Sequence, residues 1–179
     1  MEYVVSFTLL VALLAWVVSS YLRLFHLYEQ VQGAWTAWSR AARRRNECLV
    51  EFVNTFAGRL PEGDVLPRDI RHWAEDSCRA LDATPAPPRP GGTVCLNMAE
   101  RHLRRAVSGS LHTVENTLSM QDDEPLQSLC SAVSVSLYRQ DELTALYNRS
   151  AGEYNSALSG PGAGLVASVF GFSPVEPVR

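Results

Sequence analysis

Three histidines each stand three residues before a glutamate, in the pairs His26/Glu29, His72/Glu75 and His112/Glu115. Residues three apart share a face of a helix, so each pair could offer two ligands to a metal ion. Helical bundles that hold paired metal ions use the opposite order, Glu-x-x-His, with further glutamates from neighbouring helices. That order does not occur in this sequence. The pairs are therefore interpreted as exposed helix-face pairs, and neither a metal nor another cofactor is predicted.

Other reactive residues are few or badly spaced. The chain has no lysine, and all 16 of its basic residues are arginine, which excludes a Schiff-base lysine and a P-loop lysine. The four cysteines, at 48, 78, 95 and 130, have no CxxC spacing and are predicted to be isolated buried thiols. A net charge of −3 argues against general binding of nucleic acid. These observations predict a protein that is not an enzyme.

The first 22 residues are predicted to be a transmembrane anchor. Residues 3–22 carry no charge, and a helix of that length rises about 30 Å, enough to cross the hydrocarbon core. A cleaved signal peptide is the alternative, but no basic residue precedes the apolar run and no A-x-A-like site follows it. Arginines follow the span, so the positive-inside rule predicts a single-pass protein with its N-terminus outside and its body in the cytoplasm.

Helical periodicity dominates the rest of the chain, over residues 23–159. Apolar residues step by threes and fours over 24–56, 67–81, 94–119 and 124–158, which predicts four amphipathic helices. Residues 82–93 contain four prolines and two glycines and are predicted to be a loop. Convincing strand-like alternation is missing. The predicted fold is all-α: the membrane helix continues into an antiparallel, up-down, coiled-coil-like bundle of four long helices.

Two features outside the helical pattern suggest contacts with lipid or with a partner. Arg45 interrupts the apolar stripe of the first helix and, with Arg43 and Arg44, forms a basic run that could bind lipid headgroups or an acidic partner. The usual alternative for such a run is a solvated helix face. The tail, residues 160–179, is apolar and includes Phe170 and Phe172. It is predicted to cap the bundle end near the membrane, with contact to lipid as the alternative.

Several motifs resemble those of the LemA family of bacterial membrane-anchored helical proteins. The C-terminal half carries two Tyr-Asn pairs followed by Phe-Gly-Phe-x-Pro: Tyr147-Asn148, Tyr154-Asn155, Phe170-Gly171-Phe172 and Pro174. The N-terminal half matches at Tyr21, Arg23, Leu24, Leu27, Val31, Ala34-Trp35, Arg44-Arg45, Val53, Thr55 and Gly58. The chain departs from the family pattern at Val50-Glu51, Asn54 and Thr117-Leu118. The resemblance implies a membrane-anchored helical bundle and implies no catalytic residues.

The Tyr-Asn pairs are separated by two helical turns. Seven residues bring Tyr147 and Tyr154 to one face of the helix, and Asn148 and Asn155 likewise share a face. The tyrosines are predicted to pack in a seam while their hydroxyls reach a polar partner, and the asparagines to fix register. These four residues, with Trp35 and Gly171, are interpreted as structural.

The predicted function is that of a non-enzymatic scaffold or adaptor at the bacterial cytoplasmic membrane. The alternative is a factor that binds lipid and acts in membrane remodelling or envelope stress. The expected partners are the lipid bilayer and another membrane or envelope protein, and a homo-oligomer is a further option.

Overall fold

The computed structural model describes residues 2–61, 63–160 and 162–179. Within these residues there are six α-helices and no β-strand, which confirms the all-α prediction. The helices are α1 (Glu2–Ala57), α2 (Leu66–Ala83), α3 (Val94–Asn116), α4 (Leu118–Gln121), α5 (Glu124–Leu158) and α6 (Ala163–Phe170).

Helix α1 runs without a break from the apolar N-terminal stretch into the bundle. It has 56 residues and is therefore about 84 Å long. Its most apolar stretch has a mean hydropathy of 2.1, and none of that stretch is buried in the fold. Among the described residues, this is the one helix long and apolar enough to cross a membrane. Its end at Ala57, just before Gly58, agrees with the predicted stop.

The long helices α1, α2, α3 and α5 alternate in direction. Helix α5 runs antiparallel to α1, because Arg59 pairs with Asp123 at one end while Tyr28 meets Tyr154 at the other. The remaining cross-helix contacts give the same alternation: Arg71–Asn54 and Arg43–Asp82 between α1 and α2, Ser77–Glu100 between α2 and α3, and Arg104–Asp141 between α3 and α5. Neighbouring long helices therefore run antiparallel.

The bundle has two parts of different construction. In the head, residues 43–57 of α1 and 124–142 of α5 pack with α2, α3 and α4. In the stem, residues 24–42 of α1 and 143–158 of α5 continue toward the apolar stretch, and α2 and α3 reach them only at Leu81 and Leu96, because the end of α2 lies beside Arg43. The C-terminal residues 171–179, here called the C-terminal segment, pack on the stem.

Each part has its own buried core. The head core is aliphatic and phenylalanine-rich, and its members include Leu49, Phe52, Val53, Phe56, Ile70, Leu103, Val107, Val114, Leu126 and Val133. The stem core is richer in large aromatic rings and includes Val31, Trp35, Trp38, Tyr147, Ala151, Tyr154, Val175 and Val178. The last two belong to the C-terminal segment, which therefore completes a core that two helices cannot close.

The helix boundaries differ from the predicted ones at two turns. The third helix, predicted to continue to residue 119, ends at Asn116, because Thr117 takes an extended conformation (φ −109°, ψ 107°) before the short α4. The loop predicted at 82–93 begins two residues later, since α2 continues to Ala83. Helix α5 begins at Glu124 as predicted, and the Asp123 side chain caps it by accepting from the backbone N–H of Leu126.

The course of the tail corrects the prediction that the chain ends as a cap near the membrane. Helix α6 packs on residues 17–24 of α1, but the chain then turns back and follows the stem toward the head. At its end, the backbone N–H of Arg179 donates to the Asn97 side chain of α3 (2.9 Å). Within the predicted tail, Pro161 lies outside the described residues.

Candidate functional site

The Tyr-Asn pairs of α5 hold the C-terminal segment against the stem. Tyr147 and Tyr154 are both fully buried. The hydroxyl of Tyr147 donates to the backbone oxygen of Glu176 (2.7 Å), and that of Tyr154 donates to the backbone oxygen of Ser173 (3.1 Å). The predicted packing in a seam is therefore correct. The polar partner is the backbone of the tail, where sequence analysis had named none.

Each asparagine binds one residue of the C-terminal segment through both of its backbone groups. The Asn155 amide donates to the oxygen of Val175 (2.8 Å) and accepts from its N–H (3.0 Å). The Asn148 amide does the same with Val178, at 2.7 Å and 2.9 Å. A side-chain amide so placed replaces the neighbouring strand that an extended chain would otherwise pair with. The two Tyr-Asn pairs and the segment they hold are called the clasp below.

The seven-residue spacing of the pairs matches the rise of the chain they hold. Seven residues of α-helix rise about 10.5 Å, and three residues of extended or polyproline chain rise about 9–10 Å. Val175 and Val178, the partners of the two asparagines, are three residues apart, and so are Ser173 and Glu176, the partners of the two tyrosines. The segment runs antiparallel to α5, so a second Tyr-Asn pair meets the tail in the same register as the first.

The sequence of the C-terminal segment suits this repeat of three. Pro174 and Pro177 lie on the exposed side, whereas Val175 and Val178 are buried. Proline has no N–H and fixes its φ near the polyproline value, so these two positions lose no donor and are already extended. A three-residue period of prolines therefore presents valines at the same spacing to the stem.

The remaining backbone donors of the segment bind the loop and the head. The N–H of Glu176 donates to the oxygen of Pro88 (2.9 Å), and its carboxylate accepts from the N–H of Thr93 (3.0 Å). With the bonds to Asn148, Asn155 and Asn97, each backbone N–H from 175 to 179 has a partner. Since buried backbone groups are costly when unpaired, this complete pairing indicates a built contact. No pattern in the sequence marked Glu176, Thr93 or Asn97 as part of this contact.

Burial changes the acidity of both tyrosines of the clasp. Loss of solvation raises the pKa of Tyr147 far above its usual value, with a smaller contribution from Glu176. It also raises the pKa of Tyr154, to about 12. Both hydroxyls thus stay protonated over the physiological range and remain donors to the segment.

Gly171 is the turning point between α6 and the C-terminal segment. Its φ is +73°, in the left-handed region that glycine adopts without strain, and it caps α6. The N–H of Phe172 then donates to the oxygen of Ala167 (3.0 Å), which closes the last turn of α6. Phe172 is half-buried against Tyr21 and Tyr28, whereas Phe170 lies 4.8 Å from the Tyr21 ring centroid and is 51% exposed.

Trp35 lies at the centre of the stem core. It is 3% exposed and lies between Trp38 and Tyr147, with ring centroids 5.1 Å and 5.4 Å away. The indole N–H of Trp38 donates to the hydroxyl of Thr144 across the α1–α5 contact (2.8 Å). These rings pack the end of the clasp that contains Tyr147 against α1.

The basic run at 43–45 divides into three different environments, which corrects its interpretation as one contact surface. Arg44 is exposed, and Arg43 is an exposed partner of Asp82. Arg45 is 3% exposed and forms two bonds with the carboxylate of Glu100 (2.7 and 2.8 Å), so it cannot reach lipid or a partner. A charged residue that interrupts an apolar stripe is thus explained by an ion pair inside the head.

The ion pair belongs to a buried polar network that sequence analysis did not find. Asn46 accepts from Arg45, and the Ser77 hydroxyl donates to Glu100 (2.5 Å). Burial alone would raise the pKa of Glu100, but the hydrogen bonds from Arg45 and Ser77 and the Arg45 charge outweigh it and lower that pKa. The interruption of the stripe at Arg45 was the one sequence signal of this network.

The residues considered for metal binding remain scattered. Over the ranges that the structure describes, no group of three or more His, Cys, Asp or Glu side chains is placed to hold a metal ion. The four cysteines are free thiols; Cys48, Cys78 and Cys130 are half-buried, whereas Cys95 is exposed, contrary to the prediction of burial.

Comparisons with protein-family models, with curated proteins and with solved structures found no match to this chain.

Proposed function

We propose that the protein is a membrane-anchored, non-enzymatic scaffold or adaptor, with one span in α1 and a rigid bundle that presents the head to a partner. The observation that carries this proposal is the continuity of α1. The helix passes from its apolar stretch through the stem into the head without a break. Arg43, where the head begins, is about 30 Å along the helix from Arg23, where the apolar stretch ends. Such a helix holds the head at a set distance from the bilayer.

The resemblance to the LemA family is part of the same proposal. The Tyr-Asn pairs that carry the resemblance are the residues that build the clasp, and Gly171 of the Phe-Gly-Phe motif starts the segment that the clasp holds. These motifs thus have a structural task in this chain and call for no catalytic one. The proposed location is the bacterial cytoplasmic membrane, with the body in the cytoplasm, because the arginines follow the span.

Site-specific photocrosslinking in cells tests the adaptor proposal. A photoreactive amino acid at Val50 samples the open groove of about 650 Å³ between α1 and α2. The same amino acid at Val135, an exposed valine of α5, is the matched control, since the two side chains are 53% and 67% exposed. A single membrane or envelope protein crosslinked in a position-dependent way supports the proposal.

Two other outcomes would contradict the adaptor proposal. Recovery of the chain crosslinked only to itself would favour a self-assembling homo-oligomeric scaffold. Recovery of no protein adduct at any of several exposed positions of the head would remove its support.

A second candidate function, lipid binding in membrane remodelling or envelope stress, is favoured by one observation. Helix α6 is apolar and leaves Leu165, Val169 and Phe170 exposed beside the apolar stretch of α1. The other basis of that candidate is lost: Arg45 is buried, and Arg43 and Arg44 stand about 30 Å beyond Arg23. Vesicle binding by the Arg43→Ala/Arg44→Ala variant should therefore equal that of the unchanged chain.

A further inference from the structure

Helix α6 exposes an apolar face that the bundle does not cover. Leu165 and Val169, one turn apart, are 71% and 77% exposed, while Val166 and Ala167 on the opposite face are buried against α1. Phe170 lies on the side of the buried face, beside Tyr21, and is still 51% exposed. Isolated exposed apolar side chains are common on protein surfaces, but three large ones on a single eight-residue helix form a patch. The patch needs an occupant.

The position of α6 along α1 identifies the surface that the patch continues. Val166 and Ala167 cluster with Leu24, and Val17 and Tyr21 pack against them. At the start of α6, a Cβ on Gly162 would come within 2.4 Å of the Trp16 ring, so the chain passes directly over that indole. Helix α6 thus lies beside the last turns of the apolar stretch, and its exposed face joins the exposed face of that stretch.

The charge pattern of the tail matches this position. Residues 154–175 contain no charged side chain, and the surrounding charges are Glu153 and Glu176 at the two ends. Both ends lie in the stem, where Glu176 binds Thr93 and Pro88. The uncharged part of the tail is therefore the part that approaches the apolar stretch, and the chain becomes charged again where it returns to the loop and the head.

We infer that α6 is an interfacial membrane helix, inserted into the lipid at the C-terminal end of the span through Leu165, Val169 and Phe170. A helix that lies in the interface buries its apolar face about 5–10 Å into the boundary between headgroups and acyl chains. Trp16 and Tyr21, which contact α6, are the side chains expected at that depth. This inference rests on the proposed membrane anchoring and goes beyond it, because a second lipid contact fixes the rotation of the bundle about the span.

The clasp then acquires a further role. The C-terminal segment starts at Gly171, directly after the inserted helix, and ends at Asn97 of α3. It ties the lipid-embedded helix to the stem and to the base of the head, so the span and α6 form two attachment points of one rigid body.

Spin labelling of the full chain in vesicles of phosphatidylcholine and phosphatidylglycerol tests the inference. Single cysteines are introduced as Val169→Cys in α6, Val135→Cys as the matched exposed valine of the head, and Leu10→Cys in the span, after replacement of the four native cysteines by alanine. The accessibility of each nitroxide to oxygen and to a water-soluble nickel reagent is measured. At position 169 we expect an oxygen-to-nickel ratio severalfold higher than at 135 and lower than at 10, because position 10 lies deeper in the bilayer.

Three results would overturn the inference, and they differ in what else they affect. A lipid signature at 10 with a water signature at 169 refutes the insertion of α6 and leaves the anchor intact. Water signatures at both positions refute the anchor as well. Low accessibility of position 169 to both reagents, with dipolar coupling between labels, assigns the patch to a second copy of the chain.

A second measurement avoids the cysteine replacements. The unchanged protein is reconstituted with a diazirine-bearing phosphatidylcholine, irradiated and digested. Lipid adducts are expected on the peptide that contains 165–170 and not on the peptide that contains Val135. Equal labelling of the two peptides would contradict the inference.

Discussion

The head and the stem close their buried cores in different ways. In the head, four helices satisfy their own backbone groups, and an aliphatic core fills the space between them. In the stem α2 and α3 contribute only Leu81 and Leu96 to the core of α1 and α5, and the C-terminal segment adds Val175 and Val178. An extended segment without a partner strand brings unpaired N–H and C=O groups into the core. The stem therefore needs Tyr and Asn side chains where the head uses Leu, Val and Phe.

The polar groups of the two parts also differ in kind. The stem is closed by uncharged donors and acceptors, Tyr147, Asn148, Tyr154 and Asn155, which bind backbone atoms. The head contains a buried ion pair, Arg45–Glu100, which binds side chain to side chain. Neutral hydrogen bonds and ion pairs respond differently to mutation and to pH, so the difference can be measured.

The largest expected effect is that of Trp35→Ala in the stem. Loss of a buried aromatic ring that stacks on Trp38 and contacts Tyr147 should lower the free energy of unfolding by about 4 kcal/mol. Urea unfolding in a mild detergent measures it, and Tyr138→Ala, an exposed aromatic, is the control with a change below about 0.5 kcal/mol. A cost smaller than that of removing one clasp asparagine would show that hydrogen bonds, and not ring packing, hold the stem.

Arg45→Ala should have the next largest effect, in the head. It leaves the Glu100 carboxylate buried without its ion-pair partner, and the expected loss of unfolding free energy is about 3 kcal/mol. The double variant Arg45→Met/Glu100→Leu should recover most of that loss, because it removes the buried charges together. If the double variant were as unstable as the single one, the polar network would be needed for the shape of the head.

Asn155→Ala should destabilise the stem by a smaller amount. Both backbone groups of Val175 lose their partner, which costs about 2 kcal/mol when buried groups stay unpaired. Hydrogen exchange of the C-terminal peptide should rise, whereas the head peptides keep their protection. Asn116→Ala is the control, since the Asn116 amide donates only to its own helix, at His112. Unchanged exchange at the C-terminus would argue that the valines alone hold the segment.

Acid and alkali should weaken different parts of the molecule. Hydrogen bonds and ion pairs lower the pKa values of Glu100, Asp123 and Asp141, all in the head, so their stabilisation is present at neutral pH and lost as pH falls below the usual carboxyl range. Burial raises the pKa values of Tyr147 and Tyr154 in the stem. Their stabilisation is present below the ordinary tyrosine pKa of about 10 and lost as pH rises toward 12.

One variant tests the acid-sensitive groups of the head, and another tests the alkali-sensitive tyrosines of the stem. Replacement of Arg45 by Met removes the partner that lowers the pKa of Glu100, so the stability lost between neutral and acid pH, followed by near-ultraviolet circular dichroism, should become smaller. Alkaline unfolding, followed by tyrosinate absorbance, should show a delayed component that Tyr154→Phe reduces. A common midpoint in all variants would mean that the two parts unfold as one unit.

The smallest expected effect is that of Arg43→Ala. Arg43 and Asp82 form an exposed ion pair, with side chains 49% and 62% exposed, and such pairs contribute less than about 1 kcal/mol. Arg45→Ala, two residues away, also removes the arginine of an ion pair, but of a buried one. Comparing the free energies of unfolding of the two variants in urea therefore measures the effect of burial. Equal costs for the two variants would contradict the division of the basic run.

Local pattern was enough to predict the long helices. The apolar residues of α1 recur every three or four positions from Leu24 to Phe56, and Gly58 ends the helix. The start of α5 was equally clear, because Asp123, Glu124 and Pro125 combine a capping side chain with proline in the first turn. The break at Thr117 was missed, since no proline or glycine marks it.

The sequence indicated only the α5 side of the clasp. The spacing of the Tyr-Asn pairs placed the tyrosines on one helix face and the asparagines on another, which predicted a polar partner for the tyrosine hydroxyls and a register-fixing role for the asparagines. The spacing could not identify the C-terminal segment as the partner. Asn148 and Val178 are 30 residues apart in the sequence, and α6 lies between them. Likewise Arg45 interrupted a stripe, but its partner Glu100 lies 55 residues away on another helix.

The sequence alone determined that this chain is helical, that an apolar N-terminal helix continues into a bundle, and that Tyr147 and Tyr154 share one helix face while Asn148 and Asn155 share another. Helical periodicity and turn residues are local properties, so each can be recognised within a single segment of the sequence. Only the tertiary structure decided that α2 ends beside Arg43, that the tail packs in the stem core, and that α6 lies along the apolar stretch. Those outcomes depend on which distant surfaces fit together, and no local pattern contains that information.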